Sequence, residues 1–399
     1  MTHTRRITVL VVGVLTFAGV FAGAPSAEAQ DAAWVHELHA SLQAQARAIA
    51  ASLRQLSRND EDREWLRDAM RNTMRDVQLQ VRGGRRADRR GGEEATEPFN
   101  RTARLGRPGT LDLENIAGNI VITGGGGDTV RIDAVKRVRG RDAAEARARL
   151  ADLVIEVTER ADRVEVRTEY PARRDFYGEV EFTVAVPSRA AVTVRTVSGD
   201  VRVTNVDGEL RMQSVSGELV ASDVKGLTRI RSVSGNDQVT KAEGADVTGG
   251  SLSGDVVLNG LKSKCIELQT VSGDLRLTDL EVDRATLRSV SGDIEYRGRF
   301  ARNGRYELQS HSGDLRVVPR DAGFEMDAGT FSGDVRSDFE LKLQGTANQP
   351  APQTGPQRGR AGRQLRGRGI GQRIRGQSDG GGAMLSLQSF SGDIVVARP

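Results

Sequence analysis

Residues 191–236 read AVTVRTVSGDVRVTNVDGELRMQSVSGELVASDVKGLTRIRSVSGN, and one five-residue phrase recurs there: Thr196-Val-Ser-Gly-Asp200, Ser214-Val-Ser-Gly-Glu218 and Ser232-Val-Ser-Gly-Asn236. Six more copies follow: Ser251-Leu-Ser-Gly-Asp255, Thr270-Val-Ser-Gly-Asp274, Ser289-Val-Ser-Gly-Asp293, Ser310-His-Ser-Gly-Asp314, Thr330-Phe-Ser-Gly-Asp334 and Ser389-Phe-Ser-Gly-Asp393. The third-position serines step by 18, 18, 19, 19, 19, 21, 20 and 59 residues, so the last step reads as one ordinary coil of about twenty residues plus an insertion of roughly forty.

Each phrase lies between two alternating runs, such as Val192/Val194 before the first and Val201/Val203 after it, or Leu385/Leu387 and Ile394/Val396 around the last. Alternation with period two means strands with one buried face. Gly followed by an acidic or amide side chain supplies turn chemistry between them. Glycines 199, 208, 217, 226, 235 and 244 recur every nine residues, which predicts two turns per coil. Strand, turn, strand, turn with equivalent residues one coil apart is a mainly β fold, a parallel β-solenoid of ~18–20-residue coils at ~4.8 Å per coil. The third coil looks irregular, because Asp237 takes the place held by Val201 in the first, and a local bulge is expected there.

Outward from the repeats, residues 106–190 read as a degenerate coil with an α+β elaboration. Ala117-Gly118-Asn119 replaces Ser-Gly-Asp, a short helix is expected at Asp142–Leu150, and strands at Leu153–Val157, Val164–Thr168 and Glu179–Val186. The Gly124–Gly127 run lacks the following helix or Lys of a phosphate cradle and reads as a hairpin turn. Residues 82–105 read as a disordered basic linker. Residues 30–81 carry apolar side chains at three- and four-residue steps and read as amphipathic helices, a candidate surface for a protein partner. Residues 1–29 have a secretory signal's basic start, apolar run and Ala27-Glu28-Ala29 end, with no later span, so the mature chain is expected to be exported, periplasmic or at the cell surface.

The 399 residues include 37% hydrophobic and 4% aromatic side chains, thin for a compact enzyme but suited to a narrow solenoid core. The formal charge of +4 rests on the leader, Arg82–Arg90 and an Arg/Gly-rich insert at 345–382; without these the remainder is about −7. The insert carries Arg358, Arg360, Arg363, Arg366, Arg368, Arg373 and Arg375 against Asp379 alone. It is expected to be disordered, and these arginines are candidate contacts for an anionic cell-envelope component or polysaccharide, without sequence-specific nucleic-acid recognition. One cysteine, Cys265, excludes an internal disulfide, and four histidines leave little for metal or triad chemistry. His36 and His39 lie three apart on an expected helix without a third ligand.

The sequence Val184-Ala-Val-Pro-Ser188, then Val192-Thr-Val-Arg-Thr-Val-Ser-Gly-Asp-Val201 and the repeated phrase, resembles the bacterial family of β-strand-repeat domains of unknown function that carries the label putative adhesin. The resemblance spans about Pro108 to Val396 and implies a right-handed β-solenoid in exported or envelope proteins. It implies no established activity. The helical N-terminus and the Arg/Gly insert depart from the simplest pattern.

The repeated turns, exemplified by Ser198, Gly199 and Asp200, by Ser272, Gly273 and Asp274, and by Ser391, Gly392 and Asp393, are the candidate chemistry of the solenoid. Nine equivalent serines argue against a nucleophile, because catalysis singles one out with a base, and only Ser312 has an adjacent His311. The carboxylates form one column in which unit charges ~4.8 Å apart repel by ~0.9 kcal/mol in water. Calcium is the alternative occupant of that column; turn capping with ion pairs to Arg202, Arg276, Arg316 and Arg336 is the simpler reading, and no cofactor is expected. Arg195, Gln213, Arg231, Gln269, Arg288, Gln309 and Gln388 share one outward column, where glutamines can hydrogen-bond along the axis. Val197, Val215, Val233, Leu252, Val271, Val290, His311, Phe331 and Phe390 form a column that turns aromatic; it is core if buried and a contact stripe if exposed. The expected function is that of a non-enzymatic exported solenoid acting as an adhesin or envelope-binding surface. The alternatives are a periplasmic scaffold working through residues 30–81 and, behind it, a polysaccharide-processing enzyme, for which a singular carboxylate cluster is missing.

Overall fold

A computed structural model describes residues 92–106, 108–171, 176–320, 323–343 and 372–399. The expected leader, the helical region 30–81 with His36 and His39, and Arg358, Arg360, Arg363, Arg366 and Arg368 lie outside the described residues.

Ahead of the repeats run β1 (Glu93–Arg104), β2 (Thr110–Ala117), β3 (Ile120–Gly125), β4 (Thr129–Gly140), the helix α1 (Ala143–Leu150), β5 (Val154–Glu159), β6 (Arg163–Glu169) and β7 (Gly178–Pro187). The repeats form β8 (Ala191–Ser198), β9 (Val201–Thr204), β10 (Glu209–Ser216), β11 (Leu219–Val224), β12 (Gly226–Ser234) and β13 (Asp237–Ser253). They continue through β14 (Val256–Ser272), β15 (Leu275–Ser291), β16 (Ile294–Ser312), β17 (Leu315–Arg320), β18 (Phe324–Ser332) and β19 (Val335–Ser337). The chain ends in β20 (Lys342–Leu343), β21 (Gln372–Ser378), β22 (Ala383–Ser391) and β23 (Ile394–Val396). All belong to one hydrogen-bonded sheet that nearly closes on itself as a solenoid.

The strands before each phrase stack in parallel, β2 on β8 on β10 on β12, then on the later halves of β13, β14, β15 and β16. The strands after each phrase stack likewise, β3 on β9 on β11 on the start of β13 and onward to β17. Equivalent residues therefore meet: Ser198 lies opposite Ser216, Ser216 opposite Ser234 and Ser272 opposite Ser291. Alternate side chains fill the interior, Val192, Val194, Val201 and Val203 of one coil lying over Leu210, Met212, Leu219 and Ala221 of the next, all buried. Each coil contributes too little apolar surface to stand alone, so the core exists only between neighbours.

The ninth coil departs from the order of the chain. It was expected to follow the eighth after the insertion; instead β22 lies between β16 and β18, and β23 between β17 and β19. The spatial order is seventh, ninth, eighth. The eighth coil thus stands at the end of the stack, covered by β21, which runs antiparallel to β18 from Phe324↔Ser378 to Thr330↔Gln372. The insert expected to be disordered over 345–382 is accordingly a capping strand over Gln372–Ser378. Ile374, Phe339 and Leu341 pack on the core at this end, Phe339 meeting Phe324 edge-on at 5.1 Å.

At the other end, β6 pairs with β2 and β7 with β3, both parallel, while β4 runs antiparallel to β7 and β1 antiparallel to β4. Residues 93–104, read as part of a disordered linker, are therefore a twelve-residue edge strand. Its apolar side chains Ala95, Phe99 and Ala103 come only every fourth residue, because β1 covers the sheet edge with one thin contact line and turns charge to solvent. Glu97 on it, itself half-exposed, pairs with the buried Lys136 of β4 at 2.8 Å. The Gly124–Gly127 segment is not a hairpin turn, since β7 lies between β3 and β4 and pairs with both. The helix at 143–150 is capped by Asp142, whose carboxylate accepts the Glu145 N–H at 2.8 Å, and it buries Ala146 and Leu150.

Two local expectations are corrected. Asp237 is not itself bulged: it stays in register between Leu219 and Val256 and is fully buried, and the third coil's irregularity lies earlier, at Thr228, where β12 slips by one residue against β10. The second corner of each coil does not turn at the nine-residue glycines. Its left-handed residues are Asn205, Asp223, Lys241, Gly260 and Asp279, at φ of 57°, 54°, 52°, 72° and 51°. Gly208 and Gly226 are small for a different reason, because a Cβ there would strike the carbonyls of Ala190 and Gly208.

Candidate functional site

The repeated phrase builds one corner of the solenoid, and each of its positions has a separate task. Its first residue points inward and is buried. In four coils its hydroxyl donates to the turn carbonyl of the neighbouring coil: Ser251 to Gly235 at 3.4 Å, Ser310 to Gly292 at 3.3 Å, Ser389 to Gly313 at 3.2 Å and Thr330 to Gly392 at 3.0 Å. The hydroxyls of Thr196, Ser214, Thr270 and Ser289 have no partner among the described residues. Asn115 does the same work in the degenerate coil, donating to Val180 at 2.9 Å. The burial of this Ser/Thr column could not be read from the sequence, because a turn resets side-chain parity.

The third-position serines, Ser198, Ser272 and Ser391 among them, are exposed. The glycine takes positive φ, 133° at Gly199 and 157° at Gly392, and packs on the glycine carbonyl of the adjacent coil, where a Cβ would collide. Nine turns of one conformation thus stack directly on one another.

The carboxylates form a ladder. Asp200 Oδ1 accepts the Glu218 N–H at 2.9 Å, and Asp255, Asp274 and Asp293 accept from Asp274, Asp293 and Asp314 at 2.9, 3.0 and 2.8 Å. Asp314 accepts from Asp393 at 2.7 Å and Asp393 from Asp334 at 2.8 Å, repeating the interleaved coil order. Asn119 and Asn236 substitute, accepting from Asp200 and Asp255 at 3.0 and 3.1 Å. Every rung is accepted by a side chain one methylene long, Asp or Asn. Glu218 is one methylene longer, and among the described residues no such bond joins it to the Asn236 N–H.

The arginines follow part of the expected pattern. Arg276 meets Asp274 at 3.1 Å, and Arg336 bridges Asp334 at 3.0 Å and Asp393 at 3.8 Å. Arg316 instead approaches Glu295 at 3.8 Å. Among the described residues no group of three or more His, Cys, Asp or Glu is arranged to hold a metal ion.

On the adjoining outward face, Arg195, Gln213, Arg231, Gln269, Arg288, Gln309 and Gln388 lie in one column. Two of its glutamines bond within a strand rather than along the axis: Gln269 to Glu267 at 3.0 Å and Gln309 to Glu307 at 2.8 Å. Arg195 reaches Glu114 at 2.9 Å. Two arginines of the insert, Arg373 and Arg375, are tied to Asp327 at 2.6 and 3.1 Å, and the Arg373 guanidinium, ahead of Arg375, holds that carboxyl below its usual range.

Between the two ladders runs the apolar column. Val197, Val233, Leu252, Val271 and Val290 are half-buried, Val215 is buried, and the far end is open. Phe390 and Phe331 are 49% and 51% exposed, and Met384 on the outer face of β22 is 52% exposed. His311, Phe390 and Phe331 stack face to face, with centroids 4.9 Å apart and planes within 10° and 7° of parallel. That spacing is the strand separation itself. A separate open depression of about 630 Å³ at the opposite end is lined by Arg104, Asp128, Thr129, Glu159 and Arg160 among others. Its Glu159 is already paired with Arg101 at 2.9 Å.

A mainly β, stacked-coil sheet beginning at β2 coincides with a known domain: the Toastrack DUF4097 model matches residues 111–357. The chain belongs to the Toastrack DUF4097 family. The Toastrack match starts inside β2 and ends before β21, so the interleaved ninth coil lies beyond it. No curated protein matches the chain. Solved structures similar to it include a putative adhesin from Bacteroides fragilis, 12% identical, covering 76% of this chain and 97% of that one with a TM-score of 0.37. Another is a putative cell adhesion protein from Clostridium sporogenes, 11% identical over 76% and 100% of the chains, TM-score 0.22. A third is a putative lipid binding protein from Parabacteroides distasonis, 10% identical over 56% and 90%, TM-score 0.37. Likenesses at these values carry no argument about what this Toastrack chain binds. Among the described residues no helix is long and apolar enough to cross a membrane.

Proposed function

We propose that this chain is an exported, non-enzymatic binding protein whose right-handed solenoid presents a contact surface to the cell envelope. The observation that carries the reading is the aromatic stack His311–Phe390–Phe331, half exposed at the end of an apolar stripe and flanked by ordered carboxylate and Arg/Gln ladders. Exposed large apolar groups scattered singly are ordinary, whereas contiguous ones mark contact sites. The partner class is an anionic envelope component or polysaccharide, and no cofactor is assigned a part. Arg358, Arg360, Arg363, Arg366 and Arg368 add electrostatic attraction, whereas Arg373 and Arg375 share Asp327, which offsets one of their two charges. The equivalence of the nine turn serines supports the absence of catalysis, since none is singled out by a base.

The test is co-sedimentation with envelope fractions across a salt series, using the intact chain, a Phe331→Ser/Phe390→Ser variant and a chain lacking residues 345–371. The deletion stops short of β21 so that the cap on β18 is kept. Binding that falls at least tenfold in the phenylalanine variant supports the solenoid surface as the contact. Binding lost only with the deletion and with salt moves the contact to the arginines, and no binding by the intact chain rejects the reading.

A further inference from the structure

The ninth coil is inserted between two coils that precede it in the chain. On one side β22 pairs with β16 from Arg305↔Met384 to Ser312↔Ser391; on the other it pairs with β18 from Phe324↔Ala383 to Ser332↔Ser391. Its inward side chains Ala383, Leu385, Leu387, Ile394 and Val396 are buried in the common core. Without it, β16/β17 and β18/β19 would face each other across a gap one coil wide, with their ladder N–H and C=O groups unpaired.

Two features make this coil exchangeable. Residues 344–371 separate it from β20 along the chain, a length that spans at most ~95 Å, against ~48 Å for ten coils stacked at the usual strand spacing. The gap also has no identity that marks it as the coil's own. The Asp314 and Asp393 rungs and the packed glycines repeat the contacts made at Asp255, Asp274 and Asp293 in the coils before them.

We propose that residues 372–399 act as a donor segment that also fills the gap between the seventh and eighth coils of a second copy of this chain, linking copies by coil exchange. The proposal does not depend on the envelope reading above. Because the coil is joined to its own gap along one chain, closing on itself is an intramolecular step, so the closed monomer dominates in dilute solution. Exchange then takes over where copies fold together at high local concentration, as neighbours at a surface do.

Gln309 of β16 and Gln388 of β22 are register partners on the outer face and suit cross-linking. In a full-length Cys265→Ser background, one chain carries Gln309→Cys and another Gln388→Cys. The two are unfolded, mixed, refolded over a concentration series and treated with a short bis-maleimide. A double variant refolded in dilute solution is the control and should cross-link within one chain. The expected result is a covalent heterodimer whose ratio to monomer rises about tenfold per tenfold increase in concentration, and which is absent when the two are folded first and then mixed. A control that cross-links internally while the co-refolded mixture yields no heterodimer at any concentration overturns the proposal. A heterodimer that forms equally from pre-folded chains also overturns it, because that is surface association.

Discussion

Asp237 lies with its carboxyl in the core, where Val201, Leu219 and Val256 occupy the equivalent place in neighbouring coils. Ser232 donates one hydrogen bond to its Oδ2 at 3.1 Å, and the other oxygen has no partner. Burial pushes its pKa from 3.8 up to about 8, only partly opposed by the Ser232 bond. In the unfolded chain the group ionises near pH 4, so between pH 4 and pH 8 the folded state holds a proton that the unfolded state has lost. Stability is therefore full below pH 4 and falls as pH rises to about 8. At 1.36 kcal/mol per unit, the loss by pH 7 is about 4 kcal/mol. Asp237→Val removes the titrating group and adds a side chain that its neighbours already accommodate. The variant should be more stable than the parent by about 4 kcal/mol at pH 7 and by much less at pH 4. Urea denaturation of both chains from pH 4 to pH 8 reads this directly, because carboxylates whose pKa is lowered, such as Asp327, are common to both and cancel. Parallel stability-versus-pH curves for the two chains would refute the reasoning.

Glu218→Asp should supply the missing rung to the Asn236 N–H and stabilise the chain by about 1 kcal/mol, seen as a higher thermal midpoint. Gly273→Ala places a Cβ at φ 147° against the Gly254 carbonyl and should destabilise by about 2–3 kcal/mol, whereas an Ala at exposed Ser272 should change little. Asp327→Ala releases Arg373 and Arg375, and limited proteolysis should then cut within 372–382 sooner than in the parent. Thermal melts with added calcium and with chelator should coincide if the carboxylate ladder is held by its N–H rungs alone; a shift of several degrees would mean that it takes a cation.

The stacked fold was legible because period-two alternation and a phrase at near-constant spacing leave only one way to bury the apolar face. The order of the last coils was not, because the nine phrases offer the same donors, acceptors and side-chain sizes, and local sequence cannot say which neighbour each will meet. β1 escaped notice for a different reason: an edge strand with Ala95, Phe99 and Ala103 as its only inward apolar groups lacks the alternation that marks a half-buried strand. The residues of the contact stripe are legible in the repeat, but whether Val197 or Phe390 faces solvent depends on how the turn resets parity. The hydrogen bonds of Gln269 and Gln309 depended on Glu267 and Glu307, two residues earlier on the same strands, rather than on the column they share.

The break in the ladder at Glu218 has a mechanical consequence. It falls beside Asp237 and two coils before Gly249 and Gly250, so the contact between the second and third coils lacks a rung just where the core holds a carboxyl group. In a stack whose stability is a sum over adjacent pairs, the weakest pair decides where the rod parts. Partial opening should divide the molecule there into two blocks, each still closed at its outer end by antiparallel strands, with the amide of Asn236 among the first ladder positions to exchange with solvent.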